Sequence, residues 1–533
     1  MDKIFMPRRR FLVHSAALGT LAASTTLLPR AGLAQSPAVI TSERMRPAIA
    51  QGVMSGDVLA NSAMIWSRTD RPARMLVEYA MNPAFRDSRK VRGPMALDVT
   101  DFTARLDLPG LPSGEEVYYQ VRFEDASSGH ALSEPVSGRF RTAPTKRKDI
   151  KFLWSGDTAG QGFGINPEWG GMKCYETMRR DNPDFFIHCG DTIYADGIIP
   201  PEIKLDDGTI WKNITTPEKS KVAETLNDFR GNHRYNLVDD NVRRFNAEVP
   251  QIWQWDDHEV TNNWSDSKDL SGDARYTEKN VPLLTARATR AFLEYAPMRW
   301  HTQDEAERVY RTIAYGPLLD VMVVDMRSYR GANSHNTQTQ EGEDTAFMGN
   351  TQIEWLKREL KASKAVWKVI AADMPLGLGV PDGKDAQGRD KWEALANGVD
   401  GVPSGRELEL ARLLSWIKKN RIRNVVWLTA DVHYTAAHYY DPAKAKFSDF
   451  DGFWEFVSGP LNAGSFGPNP KDGTFGITVM YEKAPQKQNT PPTANLQFYG
   501  EVKIDAKSAA MTVALKDLTG ATLYTKSLEP RRS

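Results

Sequence analysis

The stretch KFLWSGD, residues 151–157, is the first of six apolar runs that each end in an aspartate. The other five are, in chain order, DFFIHCGD (184–191), PQIWQWDD (250–257), LLDVMVVD (318–325), VWKVIAAD (366–373) and RNVVWLTAD (423–431). Short apolar runs that alternate with helix-patterned segments predict buried strands in a layered α/β domain. Strand ends that share one edge of a sheet form one crevice, so we expect the terminal acids to lie close together.

These acids predict a metal centre. So many carboxylates do not stay ionised side by side without cations, and oxygen-rich ligand sets suit hard metal ions. A metal centre of this kind activates water for hydrolysis. The candidate acids are Asp157, Asp191, Asp256, Asp257, Asp325, Asp373 and Asp431.

The first 34 residues differ from the rest of the chain. Three arginines, Arg8 to Arg10, precede a mildly apolar run at 13–28 and a small-residue end at 31–34. This pattern is typical of a twin-arginine export signal that is cleaved after Ala34. The alternative is a membrane anchor, but the run contains several polar residues and is shorter than the roughly 20 apolar residues of a span. We therefore expect no stable membrane anchor, and an exported protein, periplasmic or extracellular, that engages the twin-arginine export machinery.

Charge and cysteine content limit the classes of partner. The whole chain has no formal net charge, and removal of residues 1–34 takes away five basic residues and one acidic residue, which leaves −4. A mildly acidic protein has no general attraction for nucleic acid or anionic membranes, so no nucleic-acid-binding surface is expected. The two cysteines, Cys174 and Cys189, fall in a predicted helix and a predicted buried strand, which does not favour a disulfide between them.

Residues 47–144 have a different texture, with short alternating runs at 62–68, 74–81, 103–108, 116–124 and 136–142 between Pro and Gly turns. This spacing predicts a β-sandwich domain of about 100 residues. Trp66 and the tyrosines at 118–119 resemble the core tryptophan and tyrosine corner of a fibronectin-type domain.

TAPTKRKD (142–149) predicts a linker, and residues 149–533 a second domain. Helical periodicity in that domain favours helices at 169–180, 283–295, 352–363 and 407–420. Strand patterns at 496–530 predict a terminal meander, and polar insertions near 198–240, 265–280 and 330–350 are expected at the rim of the site.

Two Gly-Asp pairs have the form of the first two blocks of binuclear metallophosphoesterases. Asp157 follows Gly156, and Asp191 follows Gly190 in GDTIY (190–194), at the ends of two predicted strands. An aspartate at such a turn can bridge two ions through its two oxygens. Tyr194 can coordinate the same ion through its phenolate oxygen, a ligand that suits ferric iron. The alternative for Tyr194 is a core tyrosine after a strand-end turn.

The remaining blocks are WDDHEVTNNW (255–264) and TADVHY (429–434). Asp257 would bind the second metal, and His258 would stabilise charge on the phosphate or protonate the leaving group. Asn263, after Asn262, would add an amide oxygen. At the last strand end we assign Asp431 to the second metal and His433 to the first; the alternative for His433 is a hydrogen-bonded core residue.

WDDHEVTNNW, VDMRSYRG (324–331), LKASKAVWKVI (360–370) and LTADVHY (428–434) together resemble the alkaline phosphatase D (PhoD-like) family. The resemblance implies a calcineurin-like metallophosphoesterase β-sandwich flanked by helices, related to purple acid phosphatases and preceded here by the fibronectin-like sandwich. It also implies hydrolysis of phosphate mono- and diesters at ferric iron with calcium, two or three ions in all.

The chain departs from the family at two places. Many members have a Ser-Cys pair where Gly156-Asp157 stands, and this difference leaves the identity of the metal more open. Members commonly have glutamine where Asp373 stands, so Asp373 is either a further metal ligand or a hydrogen-bond acceptor behind the ligands.

Arg327 and Arg330 follow the strand that ends at Asp325, and a guanidinium matches the geometry of a phosphate. We expect one of them, with Arg327 as the candidate, to bind the phosphate; a salt bridge with Asp325 or a helix is the alternative. The sequence thus indicates an exported metal-dependent phosphoesterase that acts on phosphate ester substrates. The alternatives are a dedicated phosphodiesterase or phospholipase D-like enzyme, and a non-catalytic surface-binding protein with structural metals.

Overall fold

Two β-sheets pack face to face in the computed structural model, and helices cover their outer faces. The structure describes residues 45–126, 131–265, 267–300, 305 and 307–531. Residues 43–533 form one compact unit. The predicted export signal at 1–34 lies outside the described residues. Within the described residues, no helix combines the length and apolarity needed to cross a membrane.

The N-terminal region contains the five predicted strands and two more. Burial alternates residue by residue along the longest strand, at 116–125, and its inward residues Val117, Tyr119, Val121 and Phe123 belong to the sandwich core. This alternation is the period of two that places successive side chains on opposite faces of a sheet. The strands are β1 Val53–Gly56, β2 Ser62–Arg68, β3 Ala73–Ala80, β4 Arg89–Ala96, β5 Thr103–Pro109, β6 Glu116–Asp125 and β7 Val136–Arg141.

All six acid-terminated runs form strands, as predicted; they are β8, β9, β12, β14, β15 and β18 below. The four predicted helices are present as α1, α4, α5 and α6, and the terminal meander is β22–β24. The strands are β8 Ile150–Ser155, β9 Phe185–Cys189, β10 Glu202–Lys204, β11 Ile210–Lys212, β12 Gln251–Gln254, β13 Arg311–Ala314, β14 Leu319–Val323, β15 Trp367–Ala371, β16 Pro381–Lys384, β17 Asp390–Trp392, β18 Val425–Thr429, β19 Thr435–Tyr440, β20 Phe453–Val457, β21 Ile477–Lys483, β22 Phe498–Ile504, β23 Met511–Asp517 and β24 Thr522–Leu528. The helices are α1 Lys173–Arg180, α2 Leu226–Asn236, α3 Asp240–Glu248, α4 Val281–Tyr295, α5 Asn350–Ala362 and α6 Glu407–Lys419.

The sheet topology brings the acids to one edge. One sheet has nine strands in the order β24-β23-β22-β8-β9-β12-β1-β2-β5, and β8, β9 and β12 run parallel. The other has seven strands in the order β13-β14-β15-β18-β20-β19-β21, and β14, β15, β18 and β20 run parallel. Parallel strands end on the same edge of a sheet, which is where ligands bind in α/β folds. The predicted fold class is confirmed.

Alternation along the strands divides the core into layers. In β8, Phe152 and Trp154 pack between the two sheets, whereas Leu153 faces the helix side of the nine-stranded sheet. Helices α1 to α4 contribute to that helix-side cluster, and α5 and α6 pack on the outer face of the seven-stranded sheet. The insertion helices α2 and α3 were not predicted, although Thr225 and Asp228 form a capping box at the start of α2 and Asp239 caps α3.

Three of the N-terminal strands, β1, β2 and β5, extend the nine-stranded sheet, whereas β3, β4, β6 and β7 form a separate four-stranded sheet in the order β4-β3-β6-β7. Strand β1 pairs in parallel with β12 through Gly56 and Gln251, and a Cβ at Gly56 would lie 2.6 Å from the Gln251 carbonyl oxygen. Buried Arg311 binds Asp57 across the same boundary, with an Nη2–Oδ1 distance of 2.8 Å. The nine-stranded sheet therefore contains strands from both sides of the predicted linker, and the domain boundary stays a prediction.

Trp66 does not occupy the sandwich core that its position suggested. It packs in the helix-side cluster of the central domain, 5.6 Å from the ring of Tyr295, and its Nε1 donates to the Glu294 carbonyl at 2.8 Å. The reason is strand alternation: Ile65 faces the sandwich core, so Trp66 faces the opposite side, where α4 lies. Cys174 and Cys189 are both buried and free.

Candidate metal centre

Four of the candidate ligands lie in left-handed backbone conformations directly after strands. The φ angles are +68° at Asp157, +51° at Asp191, +65° at Asp431 and +60° at His433. Non-glycine residues rarely adopt this region, and such strain concentrates at functional sites. The turn after each strand therefore aims the side chain across the edge of the sheet.

Glycines make room for these turns. Gly190 has φ +96°, and a Cβ there would lie 2.4 Å from Cβ of Asp256. A Cβ at Gly459 would lie 2.1 Å from Oδ2 of Asp157. The Asp157 carboxylate thus rests directly against backbone, and side chains at these two glycines would displace the acids.

The structure brings the candidate ligands together in three overlapping groups, each with ligand atoms within 4.8 Å of one another. Asp191 belongs to the first two groups and Asp257 to the last two. Shared carboxylates are what a bridged cluster of cations requires. The groups are Asp157, Asp191 and His433; Asp191, Asp257 and His258; and Asp256, Asp257 and Asp431.

Several carboxylate oxygens at this site are buried without hydrogen-bond donors, which tests whether the site suits cations. Both carboxylate oxygens of Asp157 are buried without a hydrogen-bond partner in the structure, as are Oδ2 of Asp256 and Oδ1 of Asp257. Burial, with the charges of Asp257 and Glu259, raises the pKa of Asp157 to about 8, although nearby His258 opposes the rise. A buried carboxylate without donors is costly unless a cation compensates it. The residues present therefore fit metal ions.

His433 presents a nitrogen to this cluster. Its Nδ1 donates to the Gly464 carbonyl, which leaves Nε2 unprotonated, 2.8 Å from the Tyr194 hydroxyl and 3.5 Å from Oδ1 of Asp157. Burial lowers the pKa of His433 to about 4, so the ring is neutral, as a metal ligand requires. Burial also raises the pKa of the Tyr194 phenol. Tyr194 lies at the cluster, with its hydroxyl on the side of His433.

His258 packs against Tyr194, with 4.3 Å between the ring centroids. Its Nδ1 is bound to Oδ1 of Asp196 at 2.7 Å, and its Nε2 lies 3.9 Å from Oδ1 of Asp257. Burial disfavours the imidazolium, but the charges of Asp196, Asp257 and Asp191 outweigh burial and raise the pKa of His258 well above its usual value. The contact with Asp196 holds the ring with Nε2 toward the acids.

Asp196 and Glu259 were not assigned by sequence reasoning. Glu259 accepts from the backbone of Thr192 and of Asp256, so it joins the turns after β9 and β12. Asp196 lies five residues after Asp191, just beyond the GDTIY segment, and 62 residues before His258, so the sequence carried no local signal of their contact.

Arg327 does not face an open site. Its side chain is fully buried among carboxylates: Nε lies 3.1 Å from Oδ2 of Asp373, other nitrogens bind Asp256 and Glu393, and Nη2 lies 4.0 Å from Oδ1 of Asp431. This geometry opposes the phosphate-binding interpretation. Neither alternative partner, Asp325 or a helix, appears among its ion pairs. The guanidinium compensates the acids from behind the cluster.

Arg330 is also buried. It donates to the Glu393 carbonyl and stacks on Phe347, with 4.7 Å between the guanidinium carbon and the ring centroid. Glu393 lies in an insertion after β17, and the sequence offered no signal for its role.

Two strand-end acids lie outside the three acidic groups of the described residues. Asp325 accepts from the backbone of Arg327 and Ser328 and from the Ser328 hydroxyl, so it closes a turn away from the cluster. Asp373 accepts from Arg327 through Oδ2, while its Oδ1 is buried without a partner, so both alternatives for Asp373 stay open.

Asn263 lies beside Asp257, and its backbone N–H donates to Oδ2 of that residue. Its φ is +55°, which asparagine tolerates better than most residues. Its side-chain nitrogen donates to Oδ1 of Asp382 at 2.8 Å. Asp382, on β16, was not identified from the sequence.

Comparison with known proteins identifies the family of this chain. Residues 152–515 match the family model of PhoD-like phosphatases, and residues 33–144 match the N-terminal domain of PhoD-like phosphatases. Alkaline phosphatase D of Bacillus subtilis (strain 168) is 28% identical over 450 residues, which cover 80% of this chain and 71% of that protein.

Solved structures share the fold. A structure of PhoD matches with a TM-score of 0.66 at 21% identity, over 91% of this chain and 92% of that chain. Purple acid phosphatase PPD1 from yellow lupin (Lupinus luteus) seeds matches with a TM-score of 0.53 at 12% identity, over 91% of this chain and 74% of that chain. Because the family model spans more than half of the sequence, the chain belongs to the PhoD-like phosphatases and is a metal-dependent phosphoric ester hydrolase.

Proposed function

We propose that this hydrolase acts on phosphate mono- and diesters after export, at a centre of two or three metal ions. The observation that carries the proposal is the pair of unpartnered, buried Asp157 oxygens within the overlapping acidic groups. Bound metal ions supply Lewis acidity, which lowers the pKa of coordinated water and balances charge on the ester oxygens. The proposed ligands are Asp157, Asp191, Tyr194, Asp257, Asn263, Asp431 and His433.

The donor set supports ferric iron and calcium. A phenol oxygen beside a neutral imidazole, at Tyr194 and His433, suits ferric iron. Carboxylate and amide oxygens, such as those of Asp257 and Asn263, suit calcium. The enzyme as isolated is expected to contain iron and to show a visible band that Tyr194→Phe removes. An active enzyme that is colourless and free of iron would contradict this assignment.

His258 serves as the proton donor to the leaving oxygen. Asp196 binds Nδ1, so Nε2 is the nitrogen left for substrate. Packing against Tyr194 limits rotation of the imidazole ring, and the surrounding carboxylates keep its proton available. Arg327 holds Asp256 and Asp373 in place and does not touch substrate.

Metal content and turnover of two variants test these roles. Asp157→Asn is expected to lose metal, because an amide cannot replace an anionic ligand. His258→Ala is expected to keep metal while turnover of an aryl phosphate ester falls roughly 10²–10⁴-fold, the usual effect of removing an acid–base group. Equal metal loss in both variants would remove His258 from its proposed role. A panel of monoesters and diesters, measured on the wild type, gives the substrate preference.

Export through the twin-arginine machinery is tested separately. Replacement of Arg8 and Arg9 by lysine keeps the charge but alters the address that the receptor recognises. The precursor is then expected to remain in the cytoplasm. Normal export of this variant would indicate the general secretory route.

A further inference from the structure

We propose that Asp382 is a positioning residue that orients the amide of Asn263, so that its oxygen and not its nitrogen faces the metal centre. This inference rests on the proposed function, in which Asn263 is a ligand. Asp382 lies on β16, in the β16–β17 hairpin at the rim, outside every strand-end motif.

All other polar groups of Asn263 are engaged. The backbone N–H donates to Asp257, and the backbone carbonyl accepts from Nδ2 of Asn333 at 3.1 Å. The side-chain nitrogen donates to Asp382 at 2.8 Å and to the Pro381 carbonyl at 3.4 Å. Of the polar atoms of Asn263, Oδ1 alone has no hydrogen-bond partner within the part of the chain that the structure describes. Oδ1 is therefore the atom left for a cation.

The chemistry of Asp382 determines the amide orientation. An ionised carboxylate only accepts hydrogen bonds, so the group of Asn263 that faces it must be the NH₂ group. The neighbouring Lys268 and Lys391 lie 3.7 and 3.4 Å from the Asp382 oxygens. Asp382 is thus paired with two ammonium groups and accepts from Asn333, so it faces donors on these sides.

Asp382 is itself held from the opposite side. Asn333 donates from Nδ2 to Oδ2 of Asp382 at 3.1 Å, while its Oδ1 accepts from Arg330 and from Arg406 at 2.9 Å. Two guanidinium donors leave Asn333 only one orientation. Arg406 is buried and also binds the carbonyls of residues 331 and 332. A rigid chain of contacts thus runs from Arg406 to Asn263.

The hairpin that carries Asp382 is anchored at its base. Trp392 N–H donates to the Ser334 carbonyl at 2.8 Å, and Glu393 N–H donates to the Val380 carbonyl at 2.9 Å. Substitution of Asp382 by asparagine keeps the size of the side chain but introduces an NH₂ group, so the amide of Asn263 is free to turn over. The expected consequence is weaker metal binding, because residues that orient a ligand change metal affinity by roughly 10–100-fold.

The test measures metal retained per protein after dialysis against graded chelator concentrations, with circular dichroism as the check of folding. Asp382→Asn is expected to lose metal at a chelator concentration roughly 10–100-fold lower than the wild type. The matched control is Asp390→Asn, in the same hairpin, whose side chain is 63% exposed and pairs with Lys384. It is expected to match the wild type.

A double-variant cycle shows whether Asp382 acts through Asn263. Asn263→Ala is expected to lower metal retention, and adding Asp382→Asn to it should cause no further loss. Additive losses would assign Asp382 a general structural role and overturn the inference, as would an unchanged Asn263→Ala or Asp382→Asn single variant. Unchanged metal retention in Asp157→Asn would instead overturn the proposed function itself, so the two failures are distinguishable.

Discussion

The carboxyl ends of β8 and β9 differ from those of β14 and β15, although an aspartate follows each of the four strands. Asp157 has two buried oxygens without partners, and Asp191 belongs to two of the three acidic groups. Asp325 is saturated by donors of its own turn, and Asp373 binds Arg327. The unpartnered oxygens of Asp157 are left to bind cations, whereas the oxygens of Asp325 support its own turn.

The backbone conformation at each acid accounts for part of this difference. Asp157 and Asp191 follow glycines and adopt positive φ, and Asp431 adopts it after Ala430. Asp325 and Asp373 do not adopt it. A left-handed turn directly after a strand swings the carboxylate across the sheet edge and away from the N–H groups of the following turn.

The largest expected effect is the difference between an Asp191 variant and an Asp325 variant. Asp191→Asn is expected to lose metal and reduce hydrolysis of an aryl phosphate ester to background, because Asp191 is shared by two groups. Asp325→Asn keeps an oxygen that accepts from the backbone of Arg327 and Ser328, so metal content and turnover should remain near those of the wild type. Elemental analysis and turnover of both variants check this. Comparable metal loss in the two would show that Asp325 also belongs to the centre.

The strands and most residues of the acidic cluster could be predicted from the sequence alone. Period and length of the apolar runs predicted six strands, and parallel order then required a shared edge. The turn chemistry after each strand was visible only as Gly-Asp pairs. Asp325 receives its donors from Arg327 and Ser328 in the turn that follows it, a local signal that the apolar pattern alone did not reveal.

Long-range partners explain the other errors. Arg327 was assigned to phosphate because it follows a strand end, but its partners Asp256, Asp373 and Glu393 come from three other segments. Trp66 was placed in the sandwich because the sequence did not show that β1 joins β12 and exposes one face of β2 to α4. Neither contact has a local signature.

Arg327 and Arg311 allow a buried arginine at the acidic cluster to be compared with one away from it. Both are fully buried, and only Arg327 lies at the cluster. Arg311 binds Asp57 at the boundary of the N-terminal region. Replacement of either by methionine leaves buried carboxylates uncompensated, so each variant is expected to lose roughly 3–5 kcal/mol of unfolding free energy. Only Arg327→Met should also lower metal retention, because Arg327 holds Asp256 and lies 4.0 Å from Asp431.

Denaturant unfolding and metal analysis of the two arginine variants separate stability from metal binding. Equal metal retention in Arg327→Met and Arg311→Met would show that the arginine behind the cluster does not hold the ligands. Unfolding is monitored in metal-saturated protein, so that metal loss does not enter the free energy of Arg327→Met.

Glu407 provides the smallest expected effect and shows that a buried acid with a raised pKa is not by itself a metal ligand. It lies at the start of α6, where its carboxylate accepts from the Ser404 N–H at 3.1 Å and from Nδ2 of Asn397 at 3.2 Å. Burial, with the charge of nearby Asp472, raises the pKa of Glu407 to about 9. The folded protein therefore binds a proton at Glu407 that the unfolded chain releases near its ordinary pKa.

Because the folded state binds this proton more tightly, the contribution of Glu407 to stability falls as pH rises from about 4.5 toward 9. One group contributes at most about 1.4 kcal/mol per pH unit. Glu407→Gln keeps a neutral side chain at every pH, so relative to the wild type it should gain roughly 3 kcal/mol between pH 6 and pH 8.5. Urea unfolding of metal-saturated wild type and variant at both pH values measures this, and turnover should stay unchanged. A stability difference that is the same at both pH values would mean that Glu407 is already ionised in the folded protein, and that its buried carboxylate is stabilised by the loop amides as fully as Asp325 is by its turn.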